Sequence, residues 1–153
     1  MVFARSLAAA AMLAAGFVAP GMAQERDLAQ EEANRALVVE FYEQVFQRHD
    51  VAGAVEVMAE DYIQHNPHVP NGKAPFVDYF TAFFAENPEA RSEIKRSAAN
   101  GDLVWLHVHA TNGEDDRGRA VLDILRVEDG MIVEHWDVIQ PVPETAANDN
   151  TMF

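Results

Sequence analysis

A carboxylate stands in the middle of an apolar run at Val121-Leu122-Asp123-Ile124-Leu125. An ionised group in such a run is costly unless something pairs with it. Twelve positions on, His135 and then Asp137 flank Trp136, and His107 and His109 alternate with Val108 in an earlier apolar stretch. His65 closes the segment Asp61-Tyr62-Ile63-Gln64-His65. Carboxylates and imidazoles set inside an apolar wall suit proton transfer, because burial and neighbouring charge tune their proton affinity towards the working pH. Structural hydrogen-bond networks gather the same residue types.

These residues need elements to position them. Leu37, Val38, Phe41, Tyr42, Val45 and Phe46 recur at helical spacing and predict a first helix over about Asp27 to Arg48. Asp50 is placed to cap a short second helix carrying Val51, Ala54, Val55 and Met58. The segment from Asp61 to His65 reads as a short strand, and Asn66-Pro67-His68-Val69-Pro70-Asn71-Gly72 as a loop. A third helix follows, with Pro75 in its first turn and Phe76, Tyr79, Phe80, Phe83 and Phe84 on its buried side; Asn87-Pro88 ends it.

Beyond Pro88 the period becomes alternating. Four strands are predicted, at about Arg91–Ala99, Leu103–Thr111, Gly118–Glu128 and Met131–Gln140, with short turns between them. Helices first and strands afterwards give an α+β domain. Matching register between neighbouring strands brings His107, His109, Asp123, His135 and Asp137 to one face, and a single β-bulge reverses part of that assignment. Residues 141–153 read as a flexible tail, leaving residues 24–140 as the domain.

The start of the chain has the three parts of an export leader. Arg5 is the positive region, Leu7 to Val18 the apolar region, and Pro20-Gly21-Met22-Ala23 the small-residue cleavage zone. Residues 1–23 are therefore expected to be removed after Ala23, leaving a periplasmic or secreted protein. The apolar run is shorter than the ~20 residues of a bilayer-spanning helix. There is no cysteine, so neither a disulfide nor a lipid-modified cysteine is available. With 25 acidic against 11 basic residues and a net charge of −14, nucleic acid and anionic membranes are poor partners.

The string from Asp123 to Val138, containing Glu134-His135-Trp136-Asp137, resembles the C-terminal signature of SnoaL-like proteins, which belong to the NTF2-like superfamily. Tyr62-Ile63-Gln64-His65-Asn66-Pro67 is similar to the matching early strand and loop. The resemblance implies a cone-shaped fold: N-terminal helices packed on a strongly curved antiparallel sheet that encloses a cavity, often in a homodimer. Founding members are cofactor-free polyketide cyclases in which an Asp is the acid/base for an aldol closure, and Asp137 occupies that position best. Ketosteroid isomerases and epoxide hydrolases of the superfamily also use cavity carboxylates. The export leader argues against a literal cyclase, since polyketide closure is normally a cytoplasmic step on large aglycones.

The expected function is cofactor-free acid/base chemistry on a small apolar carbonyl compound. Asp137 would be the acid/base, Asp123 or His135 its tuning partner, and His65 or His107 the group that polarises the carbonyl. Trp105, His109, Tyr62, Phe80 and Phe84 would contact substrate. One alternative is a binding protein without chemistry on the same scaffold. Another is a metal site drawn from His65, His68, His107, His109 and His135 with Asp123 or Asp137, for which no local ligand motif exists. No metal or other cofactor is expected.

Overall fold

The computed structural model describes residues 25–153; the leader expected over residues 1–23 lies outside them. Helix α1 spans Leu28–Phe46, and the Asp27 carboxylate caps it by accepting from the Ala29 and Gln30 N–H groups at 3.1 and 3.0 Å. Its residues Val38, Phe41, Tyr42 and Val45 are buried at helical spacing. Helix α2, Val51–Ala54, is capped by Asp50, and a 3₁₀ turn at Val55–Val57 leads into strand β1, Met58–Gln64. Helix α3 follows at Lys73–Glu86, then β2 at Arg91–Asn100, β3 at Leu103–Thr111, β4 at Arg119–Glu128 and β5 at Met131–Pro141. Among the described residues, no helix is long and apolar enough to cross a membrane.

The five strands form one sheet in the order β1-β5-β4-β3-β2. The last four make the expected antiparallel meander. The sheet as a whole is mixed rather than antiparallel, because β1 joins β5 in parallel. Helices α1 and α3 cover one face, and the buried side chains of Val104, Leu106 and Val108 meet α1 there. The start of α1 is tied to the β2–β3 turn: the Asn34 amide donates to the Gly101 carbonyl at 3.1 Å, and buried Glu31 accepts from the Gly101 N–H at 3.0 Å. Arg26 pairs with the same Glu31.

Three boundaries differ from the sequence reading. Met58 does not close the second helix. It is fully buried opposite Ile132 and opens β1, three residues before the expected start. Gly118 takes φ +75°, so β4 begins only at Arg119. At the other end β5 continues to Pro141, opposite Arg119, and Val142 N–H still donates to the Gly118 carbonyl at 2.9 Å. The last residues return to the sheet, where the Phe153 ring lies 4.2 Å from that of His109.

Candidate functional site

Strand register decides which polar residues meet. Leu106 on β3 lies opposite Asp123 on β4, and Asp123 lies opposite Asp137 on β5. Leu125 is opposite His135, so Asp123, His135 and Asp137 share the helix-covered face with Leu106 and Val104. His107 and His109 pair with Leu122 and Ala120 and therefore point to the outer face. The expectation that all five polar residues converge is corrected by this register: His107 and His109 are one residue out of phase with Asp123. A bulge between Arg126 and Val127 adds a second reversal. It turns Ile132 into the core although its parity matches outward-facing Glu134 and Trp136.

The outer positions have their own partners. His107 Nδ1 meets an Arg96 guanidinium N–H at 2.6 Å, and His109 Nε2 donates to the Arg117 carbonyl at 2.9 Å. Trp105 pairs with Ile124 on the same outer face. His65 also lies outside, with Nε2 2.7 Å from Glu134 Oε1 and its ring stacked on Trp136 at 4.6 Å. The His65 and Arg126 side chains hold the Glu134 carboxyl below the usual range. Of the residues singled out from sequence, His65, His107, Trp105 and His109 do not line the cavity.

Asp137, Asp123, His135, Tyr62, Phe80 and Phe84 do line it. The cavity, of about 260 Å³, lies between α1, α3 and the inner face of the sheet. Its wall is aromatic: Phe41 and Phe46 come from α1, and Phe76, Phe80 and Phe84 from α3. Spacing along α3 explains this, because residues four apart stand over one another on a single helix face.

At the polar end, hydrogen bonds determine where protons sit. Gln64 Oε1 accepts from the Asn66 N–H at 3.0 Å and lies 2.8 Å from His135 Nδ1. An oxygen there requires His135 Nδ1 to carry a proton. His135 Nε2 is 2.9 Å from Asp123 Oδ1, so a second proton lies between those two atoms. The two groups thus share one proton across a buried contact. The other Asp123 oxygen accepts from the Tyr42 hydroxyl at 2.8 Å, which completes a buried and fully satisfied group.

Asp137 is held differently. Asn66 Oδ1 accepts from the His68 N–H at 2.9 Å, which orients the amide so that Nδ2 donates to Asp137 Oδ2 at 2.7 Å. Asp137 Oδ1 has no hydrogen-bond partner among the described residues. With both Asp123 oxygens engaged, by His135 and Tyr42, Asp137 is the carboxylate that offers a free oxygen to this end of the cavity. Nearby, Gln64 Nε2 reaches the Tyr62 hydroxyl at a long 3.5 Å. Burial first, then the Asp123 charge, pushes the Tyr42 and Tyr62 phenols well above their ordinary range, so both stay protonated donors.

Tyr42, Gln64 and Asn66 were not singled out from the sequence. Tyr42 reads as one more apolar position of α1. Alternation along β1 was the available signal for Gln64, since it shares parity with Tyr62 while His65 shares parity with exposed Ile63. One ligand atom each from Asp123, His135 and Asp137 lie within 4.8 Å of one another. This is compact enough for a metal ion as well as for a proton network.

With this geometry in place, comparison with known proteins gives a family. The SnoaL-like domain matches residues 38–135. A candidate ketosteroid isomerase from Kribbella flavida superposes with a TM-score of 0.64 at 20% identity, covering 81% of this chain and 90% of that one. An NTF2-like protein of unknown function from Mesorhizobium loti gives 0.60 at 25% identity, covering 72% and 93%. A candidate polyketide cyclase from Bacillus cereus gives 0.59 at 22% identity, covering 70% and 74%. Comparison with curated proteins finds no match. At such identities the structures speak for the fold, and the family match spans most of the chain: it belongs to the SnoaL-like domain family, built on an NTF2-like α+β fold.

Proposed function

We propose that this domain is a cofactor-free acid/base enzyme acting on a small, largely apolar carbonyl compound, with Asp137 as the base. The observation that carries the reading is the asymmetry of the two facing carboxylates. Asp123 is buried and shares a proton with His135, whereas Asp137 keeps one oxygen free in an aromatic-walled cavity. Asp137 Oδ1 takes a proton from the carbon beside the carbonyl; the electron pair of that C–H bond becomes the carbon–carbon double bond of an enolate as the carbonyl π pair moves onto oxygen. The Tyr62 O–H donates to the oxygen as its charge grows. Returning the proton to another carbon of a conjugated enolate gives isomerisation; attack of the enolate carbon on a second carbonyl, whose oxygen then takes the proton back from Asp137, gives an aldol product. The names of the Kribbella and Bacillus relatives, an isomerase and a cyclase, both belong to this enolate chemistry.

The domain is proposed to work outside the cytoplasm, on the strength of the leader-like segment up to Ala23, and as a homodimer by analogy with the superfamily. The testing experiment uses 2-tetralone, a compact aromatic ketone with exchangeable protons beside its carbonyl. In D₂O, the folded protein should exchange those protons at least ~100-fold faster than buffer. A rate equal to that of buffer, with the ketone still bound, would instead identify a non-catalytic binding protein.

A second reading is favoured by one observation. His135 Nδ1 is committed to Gln64 Oε1, which leaves Nε2 facing Asp123, with an Asp137 oxygen inside the same 4.8 Å cluster. Metal analysis of untagged protein tests it. A stoichiometric divalent ion would replace the shared proton and overturn the cofactor-free account.

A further inference from the structure

The inner stripe of β4 reads Asp123, Val121, Arg119 from the reacting end of the cavity outwards. Arg119 is half-buried and lines the cavity together with Arg91, which stands at the start of β2. Arg26, Arg35, Arg48, Lys73, Lys95 and Arg126 each pair with a carboxylate. Arg91, Arg96, Arg117 and Arg119 make no ion pair among the described residues, and of these four Arg91 and Arg119 line the cavity. Through one guanidinium nitrogen Arg91 meets the Pro88 and Ala90 carbonyls at 2.9 and 2.6 Å and His49 Nε2 at 2.8 Å, and Arg119 has only a 3.5 Å contact to Asn112 Oδ1.

The surroundings leave Arg119 available. Across the strands its neighbours are Ala110, whose side chain is small, and Pro141. The nearby Asp116 feels the Arg119 charge, but its oxygens accept from the backbone N–H groups of Asn112 and Gly118, at 2.8 and 2.9 Å, and form no ion pair with the guanidinium. In a chain with 25 acidic residues, an arginine lining an aromatic cavity without a carboxylate partner is unexpected for a merely solvated surface. Between Arg119 and Asp123 the floor is apolar, formed by Val121 and by Ile139 opposite it.

We propose that Arg119, assisted by Arg91, forms an anion subsite at the cavity mouth, and that the substrate is an apolar carbonyl compound bearing a carboxylate at its far end. The strand acts as a ruler. Arg119 and Asp123 are four positions apart, roughly 13 Å of backbone at the usual rise per residue, shortened by the reach of the arginine side chain. A planar guanidinium holds a carboxylate through two parallel hydrogen bonds, which fixes the ligand's direction as well as its charge. The anchored end would then point the carbonyl at Asp137 and Tyr62. This assignment rests on the reading of Asp137 as the reacting end, although binding of the anion does not require Asp137 to act as a base.

The test is calorimetric titration of the protein with 2-naphthylacetate and with its neutral amide, 2-naphthylacetamide. The protein should bind the carboxylate about ten-fold more tightly than the amide, and added salt should erode that margin alone. Arg119→Gln should bring the two probes within about two-fold of each other while amide affinity stays the same. Arg119→Lys should retain part of the preference by keeping the charge. Asp137→Asn should keep the preference in full, so failure of the catalytic reading and failure of this subsite are distinguishable. Equal affinity for the two probes, no binding of either at millimolar concentration, or a preference that survives Arg119→Gln together with Arg91→Gln would overturn the proposal.

Discussion

Asp123 and Asp137 are the same residue type at facing positions of neighbouring strands, yet their surroundings give them different work. Asp123 is 5% exposed and bonded through both oxygens, to Tyr42 and to His135. Removing its proton-sharing partner leaves a buried carboxylate compensated by one phenol alone. His135→Gln should therefore destabilise the fold by about 3 kcal/mol, read as a lower midpoint in urea unfolding, with a smaller loss in Asp123→Asn. Asn66 differs, because it orients Asp137 without burying charge. Asn66→Ala should leave the unfolding free energy in urea within about 1 kcal/mol of the parent while slowing exchange of 2-tetralone protons at least ~10-fold. Anomalous residues were legible in the sequence: a carboxylate in an apolar run marks Asp123 without any structure. Their partners were not, since Tyr42 and Gln64 belong to elements far away in the chain.

At the scale of the elements, period and turn signals located each strand to within about three residues. What they left open was register. His107 and His109 alternate with apolar residues as convincingly as Asp123 does, and only the pairing of Leu106 with Asp123 puts the imidazoles outside. That pairing is set by the β3–β4 connection, which ends at Gly118. Its φ is +75°, and a Cβ there would run into the Ala110 carbonyl oxygen and come within 2.8 Å of Thr111 Cγ2 and 2.9 Å of His109 Nε2. Gly130 has nearly the same φ, +76°, but open space around it. Both Gly→Ala changes incur the backbone strain of a left-handed residue, about 1 kcal/mol. Gly118→Ala should cost at least about 1 kcal/mol more than Gly130→Ala, measured by chemical denaturation. Equal costs would show that this turn does not hold the register.

For the whole molecule, acidity and the absence of cysteine leave stability to packing between the helices and the sheet. Two phenols from that interface report on its integrity. Tyr42 and Tyr62 are raised by burial and then by the Asp123 charge, so the folded state keeps both protons where the unfolded chain loses them near pH 10. Their contribution to stability is complete below about pH 10 and declines as the pH rises above it. In Tyr79→Phe, which removes the exposed third tyrosine, phenolate absorbance should appear only together with loss of the circular dichroism signal. Phenolate absorbance preceding unfolding would mean that water reaches the cavity floor.

The same cavity was foreseen from the resemblance in its general form and from the composition in none of its detail. Aromatic residues on α3 read equally well as core or as wall, and in the folded domain they are both. The central claim concerns one oxygen on that floor, Asp137 Oδ1. The most direct measurement is the rate of proton exchange of 2-tetralone in D₂O, comparing the protein with Asp137→Asn, which keeps the shape of the side chain and the contact to Asn66. The variant should retain the unfolding free energy of the parent to within about 1 kcal/mol and lose at least ~100-fold in exchange rate. Exchange within two-fold of the parent would contradict the assignment of Asp137 as the base.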